Sequence, residues 1–394
     1  MELNFDPADF SGFSFPIQPG DFIGLLYKAG YCPEAYRDHF DDLANLDWAS
    51  KDALNHFLRH GLDERRHFPI ALDRDALVAL AGLPISDTDF KAKLLSHLAH
   101  QLFAGLKPPF DDAVTQSWPT VIRLAPHRAR PFFLTGDSHA CHLDLTGHRN
   151  GAWLLPIHMP CTAGSAAGLD NAASRSGYGD RLRAITQTIA SLPGTDSLPF
   201  LFQFGQVDIE FVYHFHRVRD GRNALDLSHY RAFCDDRLER YSRFVSGLFS
   251  PDQRSRVFLT SIFPPALSDE AWSRGYVNGD IVREETDVSY EALAAGIRTL
   301  DIADFQQRTE IHLYFNAGLK AACQRAGFGY LDVATGLLGQ DGLVDPRYIV
   351  PETKGFDHHL DGRRTHPVIS DALWQCLDAV DAIHRPAQDE LREG

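Results

Sequence analysis

The sequence has no run approaching the roughly 18 uninterrupted apolar residues of a membrane-spanning helix, so no span is expected. It has no basic excess either. Lys and Arg total 38 against 53 Asp and Glu, a formal net charge of −15, which repels phosphate backbones and anionic bilayers and removes nucleic acid as an expected partner. The opening residues, Met-Glu-Leu-Asn-Phe-Asp, are acidic where an export signal is basic and then apolar, so the expected location is the cytoplasm. Six cysteines, at positions 32, 141, 161, 234, 323 and 376, form no Cys-x-x-Cys pair. That spacing signals neither a zinc knuckle nor a thioredoxin-like centre, and most of the thiols are expected to be small buried hydrophobes. Gly-x-x-x-x-Gly-Lys-Ser/Thr and Gly-x-Gly-x-x-Gly runs are absent, which leaves no nucleotide or dinucleotide cradle, and no cofactor is expected.

What is present is the composition of a folded globular chain, with 44% hydrophobic, 11% aromatic and 23% charged residues among 394. At roughly 150 residues per domain this is two to three domains, or one large α/β domain with an appendage. From about residue 20 to 106 the pattern is helical: Leu54, Phe57 and Leu58 recur at i, i+3, i+4, and Phe90, Leu94, Leu98 and Phe103 continue such a stripe. Lys107-Pro-Pro-Phe opens a candidate linker at 107–128. Beyond it, short β-rich runs alternate with helical stripes: Pro131–Thr135, Trp153–Ile157, Pro199–Phe204, Val257–Ile262 and Tyr330–Val333. This is the signature of an α/β domain over 129–385, a doubly wound, mostly parallel three-layer sheet with helices on both faces, before a tail at 386–394. Asp180 is expected to cap one helix, Ser370 another, and Gly327 to close a third.

In such sheets reactive groups collect where strands end. The first strand breaks into Gly136-Asp137-Ser138-His139, a sharp turn presenting a hydroxyl. Far downstream, Phe356-Asp357-His358-His359 offers a carboxylate two residues from an imidazole. In extended chain those side chains share a face, so Asp357 can steady one nitrogen of His359 while the other takes a proton from Ser138. His358 is the rival base.

Taken together these residues resemble the SGNH or GDSL-type hydrolase superfamily, which includes esterases, lipases, carbohydrate deacetylases and O-acyltransferases. Gly136-Asp137-Ser138 looks like its first block. The resemblance implies an oxyanion hole from the backbone N–H groups of Ser138 and Gly164, with Gly168 as the alternative to Gly164. Gly205-Gln206-Val207-Asp208 looks like the third block and Asp357 with His359 like the last. Val207 stands where the family carries an oxyanion-hole asparagine, a donor worth about 2.7–4 kcal/mol, unless Gln206 substitutes. The Asp-to-His offset is two where the family has three. Separately, Ala35-Tyr-Arg-Asp-His-Phe through Asn55-His-Phe-Leu-Arg-His-Gly-Leu-Asp-Glu-Arg-Arg resembles a helical module of bacterial glycosyltransferases and polysaccharide enzymes.

The resulting expectation is serine-dependent acyl transfer on a glycan or small-molecule ester, with a polysaccharide-biosynthesis protein as a partner. Asn171, Ser174 and Arg175 are candidates to reach a sugar or acyl group. A catalytically weak glycan-binding protein is the second reading. A metal-dependent phosphoesterase using His139, Asp208, His214, His216, Asp357, His358 and His359 is the third, although the Gly-Asn-His box of that class is missing. Arg217, Arg219 and Arg222 read as solvated loop charge before an anion site.

Overall fold

Ala129–Gly136 forms a strand (β1) because Phe132, Phe133 and Leu134 make an unbroken, fully buried apolar run, the pattern of a strand covered on both faces. The computed structural model describes residues 41–44, 53, 56, 129–145, 148–149, 152–190, 198–353 and 355–384. Its other strands are β2 (His148–Arg149), β3 (Ala152–Pro160), β4 (Phe200–Gln203), β5 (Val257–Thr260) and β6 (Gly329–Leu331). Each of the five apolar runs is thus a strand.

The chain divides into two compact units, residues 1–132 with 144–158, and residues 133–143 with 159–394. In the first, β2 and β3 pair antiparallel with His148 opposite Trp153, and buried His158 places Nδ1 3.0 Å from Asp144 Oδ2. A helical turn at Asp41–Ala44 and helical Ala53 and His56 are described of the N-terminal region. The rest of the helical reading, the linker, the polysaccharide-enzyme motif apart from residues 41–44, 53 and 56, and the tail lie outside the described residues.

In the second unit the carboxyl end of β3 (Met159 and Pro160), β1 from Phe133 onward, β4, β5 and β6 follow one another across the sheet. Strands β1, β4, β5 and β6 pair in parallel, with Phe133 opposite Phe200, Leu201 opposite Phe258 and Leu259 opposite Tyr330. Cys161, just past β3, donates its N–H to Gly136 O at the end of β1 at 2.8 Å, so those two strands finish together. From β1 the chain goes to one side for β3 and then to the other for β4. The crevice beyond the carboxyl ends of β1 and β4 is therefore the switch point at which open α/β sheets bind ligands.

Helices lie around this sheet: α1 (Ala166–Leu169), α2 (Tyr178–Ala190), α3 (Tyr213–Arg219), α4 (Leu227–Leu248), α5 (Asp269–Ser273), α6 (Gly279–Glu285), α7 (Tyr290–Ile297), α8 (Phe305–Ala326) and α9 (Gly362–His384). The apolar stripe of α4 buries Tyr230, Cys234, Leu238, Tyr241 and Val245 and leaves Leu248 half-buried, that of α8 buries Ile311, Phe315, Leu319 and Cys323, and the two helices pack together. Gly327 closes α8 in the left-handed conformation (φ 78°).

Three local readings are corrected. Asp180 lies in the first turn of α2 and does not cap it. Ser370 is inside α9, because Asp361 Oδ1 accepts the N–H groups of Arg363 (3.0 Å) and Arg364 (3.2 Å) and starts the helix earlier. His214 and His216, in Phe211-Val-Tyr-His-Phe-His whose alternation suits a sheet or loop, lie on the helix α3 instead.

Candidate active site

The site is built on two strand ends. A Cβ on Gly136 would sit 2.4 Å from Gln203 O, so only glycine lets β1 finish this close to β4. Asp137 N–H donates to Gln203 O at 3.1 Å, Ala140 N–H returns to Asp137 O at 3.0 Å, and Ser138–Leu143 wind into a tight helical turn. Ser138 heads that turn, half-buried. At the end of β4, Gly205 has φ +112° and lies where a Cβ would be 2.6 Å from the Phe315 ring. Both strands are thus stopped by residues that only glycine can replace.

Across 221 residues of sequence, His359 reaches this turn. Its Nε2 is 2.8 Å from Ser138 Oγ. Its Nδ1 is 3.2 Å from Asp357 Oδ1, which also accepts the His359 backbone N–H at 2.9 Å. One carboxylate oxygen therefore fixes both ring and backbone. With Nδ1–H donated to Asp357, Nε2 is left to accept the serine proton. The hydrogen bond from His359 holds the Asp357 carboxyl down at about 2, so it is an anion at any ordinary pH. The other histidine points elsewhere: His358 Nδ1 is 2.9 Å from the Tyr276 hydroxyl and 3.9 Å from Asp357. Burial pushes the His358 imidazole down to about 2, leaving it neutral.

The same local geometry occurs twice. Asp137 Oδ1 accepts the His139 backbone N–H at 2.9 Å and lies 3.0 Å from His139 Nδ1, so Asp137-Ser138-His139 repeats Asp357-His358-His359. His139 Nε2 is 3.2 Å from the His358 carbonyl, tying the serine turn to the histidine loop. Both partners of His139 are acceptors, so the Asp137–His139 pair must carry one acidic proton besides the ring hydrogen. Burial raises Asp137 to about 7 and drives His139 well below its ordinary value. Burial thus favours the neutral pair, with Asp137 donating to Nδ1 and Nε2–H donating to the carbonyl. The His139 and His359 rings are 4.5 Å apart.

The residues expected around an oxyanion are placed as follows. Gly164 N–H donates to Cys161 O at 2.8 Å, closing a turn whose third residue, Ala163, has φ +61°. A Cβ on Gly164 would meet that carbonyl at 2.7 Å. Gly168 lies in α1, its N–H donating to Ser165 Oγ at 3.0 Å. Gln206 is fully buried, with Oε1 accepting Phe263 N–H (2.8 Å) and Nε2 donating to Glu210 (3.2 Å). Val207 is buried and apolar. Asp208 receives the N–H groups of Ala166 (2.5 Å) and Ala167 (3.4 Å), anchoring the start of α1, with Arg237 3.7 Å away. Burial still lifts its carboxyl to about 6. Burial also holds the Cys161 thiol up at about 12, so it is no rival nucleophile beside Ser138.

No protein-family model matches the chain, and no curated protein matches it. Solved structures that are similar to it include the following two. A candidate acylhydrolase from Bacteroides fragilis NCTC 9343 shares 13% identity at a TM-score of 0.34, covering 63% of this chain and 86% of that one. A GDSL-like lipase from Bacteroides thetaiotaomicron VPI-5482 shares 12% at 0.33, covering 70% and 98%.

Other candidates from the sequence serve the frame. Asn171 is exposed and its Oδ1 accepts Ala173 N–H at 3.0 Å. Ser174 pairs with Ser176 (3.1 Å), and Arg175 is turned to Asp287 and to the carbonyls of Arg283 and Thr286. Arg217 is not solvated: its buried guanidinium donates to the carbonyls of Arg222, Asn223 and Asp301, because the chain after α3 wraps around it. Arg219 and Arg222 pair with Asp220. An apolar cavity of about 460 Å³ lies between Ala266, Phe305, Pro346, Ile349 and Gly355, and does not include Ser138. Among the described residues no helix is long and apolar enough to cross a membrane.

Glu210, behind Gln206, gives a stability prediction. Burial raises its carboxyl from 4.5 to about 8, so the unfolded chain ionises there while the folded chain still holds the proton. The stability this group supplies is complete below about 4.5 and is lost as pH rises through about 8. Glu210→Gln is expected to match wild type near pH 5 and to become more stable by up to about 4 kcal/mol near pH 8. Urea midpoints at both pH values read this, and a pH-independent difference would contradict it.

Proposed function

We propose that the protein is a serine-dependent acyl-transfer enzyme, an ester hydrolase or O-acyltransferase of the SGNH type. The observation that carries this is the 2.8 Å contact between Ser138 Oγ and His359 Nε2 with Asp357 behind the imidazole. Ser138 Oγ attacks the ester carbonyl carbon as its proton passes to His359 Nε2, and the carbonyl π pair moves to oxygen. The resulting oxyanion is held by the Ser138 N–H. The carbonyl re-forms, the C–O bond to the leaving alcohol breaks, and Nε2–H gives that alcohol its proton, leaving an acyl-serine. Water or a sugar hydroxyl then attacks, its proton passing through His359 back to Ser138. Asp357 stabilises the imidazolium formed at each step.

A carbohydrate ester as substrate rests on the resemblance of residues 35–66 to a module of polysaccharide enzymes, as does a partner from polysaccharide assembly. With Gln206 occupied and Val207 apolar, turnover is expected to be slower than with a full set of donors. The test is intact-mass spectrometry after a fluorophosphonate probe, which needs no substrate. One adduct on wild type that is absent from Ser138→Ala is expected. A folded wild-type protein that takes no adduct would overturn the proposal in favour of a glycan-binding role.

A further inference from the structure

Three imidazoles converge beside Ser138. One ring nitrogen from each of His139, His358 and His359 lies within 4.8 Å of the others. Every one of these rings has its Nδ1 held by a polar group behind it: Asp137 at 3.0 Å, Tyr276 at 2.9 Å and Asp357 at 3.2 Å. An outer carboxylate or hydroxyl on the far nitrogen is what orients histidines that bind metal and makes the near nitrogen a better ligand. A lone catalytic base needs one such partner. Here there are three, on three adjacent rings, and the serine mechanism uses only the one behind His359.

We propose that His139, His358 and His359 form a binding site for a zinc-class divalent cation, and that the bound metal switches the serine site off. The donor set is all imidazole, which suits Zn²⁺ and excludes Ca²⁺ and Mg²⁺, whose ligands are oxygens. Tetrahedral zinc with Zn–N of about 2.0–2.1 Å sets its nitrogens about 3.3 Å apart, so each pair closes by at most about 1.5 Å. His359 is 27% exposed at its side chain, which gives the ion a way in, while His139 and His358 are buried. Ser138 Oγ, already against His359 Nε2, is in place for the fourth position.

Binding exchanges contacts that are on the page. The metal takes His359 Nε2 from Ser138, and with it the proton acceptor. It takes His139 Nε2 from the 3.2 Å contact with the His358 carbonyl. There the ring binds as its Nδ1–H tautomer with that hydrogen donated to Asp137 behind it, and any further proton of the pair leaves to solvent. No electron changes hands, and chelation restores the starting state.

The switching half of this proposal rests on the serine reading; the metal site does not, and the experiment separates them. Full-length wild type, Ser138→Ala, His139→Ala, His358→Ala and Tyr276→Phe are titrated with ZnCl₂ by calorimetry. The visible absorption of Co²⁺ at the same site reads the geometry. One ion per chain is expected on wild type and on Ser138→Ala, with a tetrahedral Co²⁺ spectrum. Tyr276→Phe, which keeps the ring and removes only its hydroxyl, is expected to weaken binding about 10–100-fold, and the histidine variants more. Saturating zinc is expected to slow fluorophosphonate labelling of wild type at least about tenfold, reversed by EDTA. An unreactive Ser138 in a chain that still binds zinc through these residues would end the serine reading and keep the site. No binding, or binding indifferent to both histidine variants, would overturn the site. Binding that leaves labelling unchanged would overturn the switch.

Discussion

Ser138→Ala and His359→Ala are each expected to lower kcat on an activated ester by about 10⁵–10⁶-fold, and the double variant is expected to be no slower than either alone. Oγ and Nε2 share one proton across 2.8 Å and act as a unit. Without the base the hydroxyl is not activated, and without the hydroxyl the base has nothing to activate. Two independent contributors would instead multiply, to about 10¹⁰ or more. Turnover of p-nitrophenyl acetate by the three variants measures this. A double variant far slower than both singles would mean that the two residues do not act together.

Asp357 is expected to show a graded loss. Asp357→Ala removes the charge that stabilises the imidazolium and the oxygen that fixes the ring, and should lower kcat by about 10⁴-fold. Asp357→Asn should lose less, by about tenfold or more, because Oδ1 is pinned by the His359 backbone N–H as well as by the ring. An amide oxygen can keep both bonds, so the ring stays in its working tautomer and only the charge is lost. Steady-state kcat for the two variants decides between these roles. Equal losses would show that the charge does everything and the orientation nothing.

The parts legible in the sequence are those set by local pattern. Five apolar runs became strands because a sheet covered on both faces needs unbroken hydrophobes, and Gly136 and Gly205 punctuate strand ends that pack too closely for a side chain. The pairing of Asp357 with His359 was readable because an aspartate can cap the amide two residues on and reach the ring of that same residue. The sequence already favoured His359 with His358 as its rival, and what the fold adds is that Tyr276 takes His358, a contact across 82 residues with no local trace. The role of His139 was half visible. Asp137 and His139 repeat the spacing of Asp357 and His359, but two short Asp-x-His runs 220 residues apart do not announce that they face one another. His214 and His216 were misplaced because a short segment rich in aromatic residues satisfies strand and helix patterns alike. The start of α9 was missed because Pro367 reads as a helix breaker, whereas it lies inside the helix.

The 221-residue separation of Ser138 from His359 bears on how the protein is made. The hydroxyl emerges from the ribosome with the first parallel strand, and its base arrives only after the last strand has been synthesised. At about 5–20 residues per second, the chain spends on the order of ten seconds or more as a nascent polypeptide carrying Ser138 without its partner. A contact of such long range also forms late in folding. On the proposed function, ester cleavage is then a property of the finished molecule alone, and the appearance of fluorophosphonate reactivity during translation would report that the α/β unit has closed.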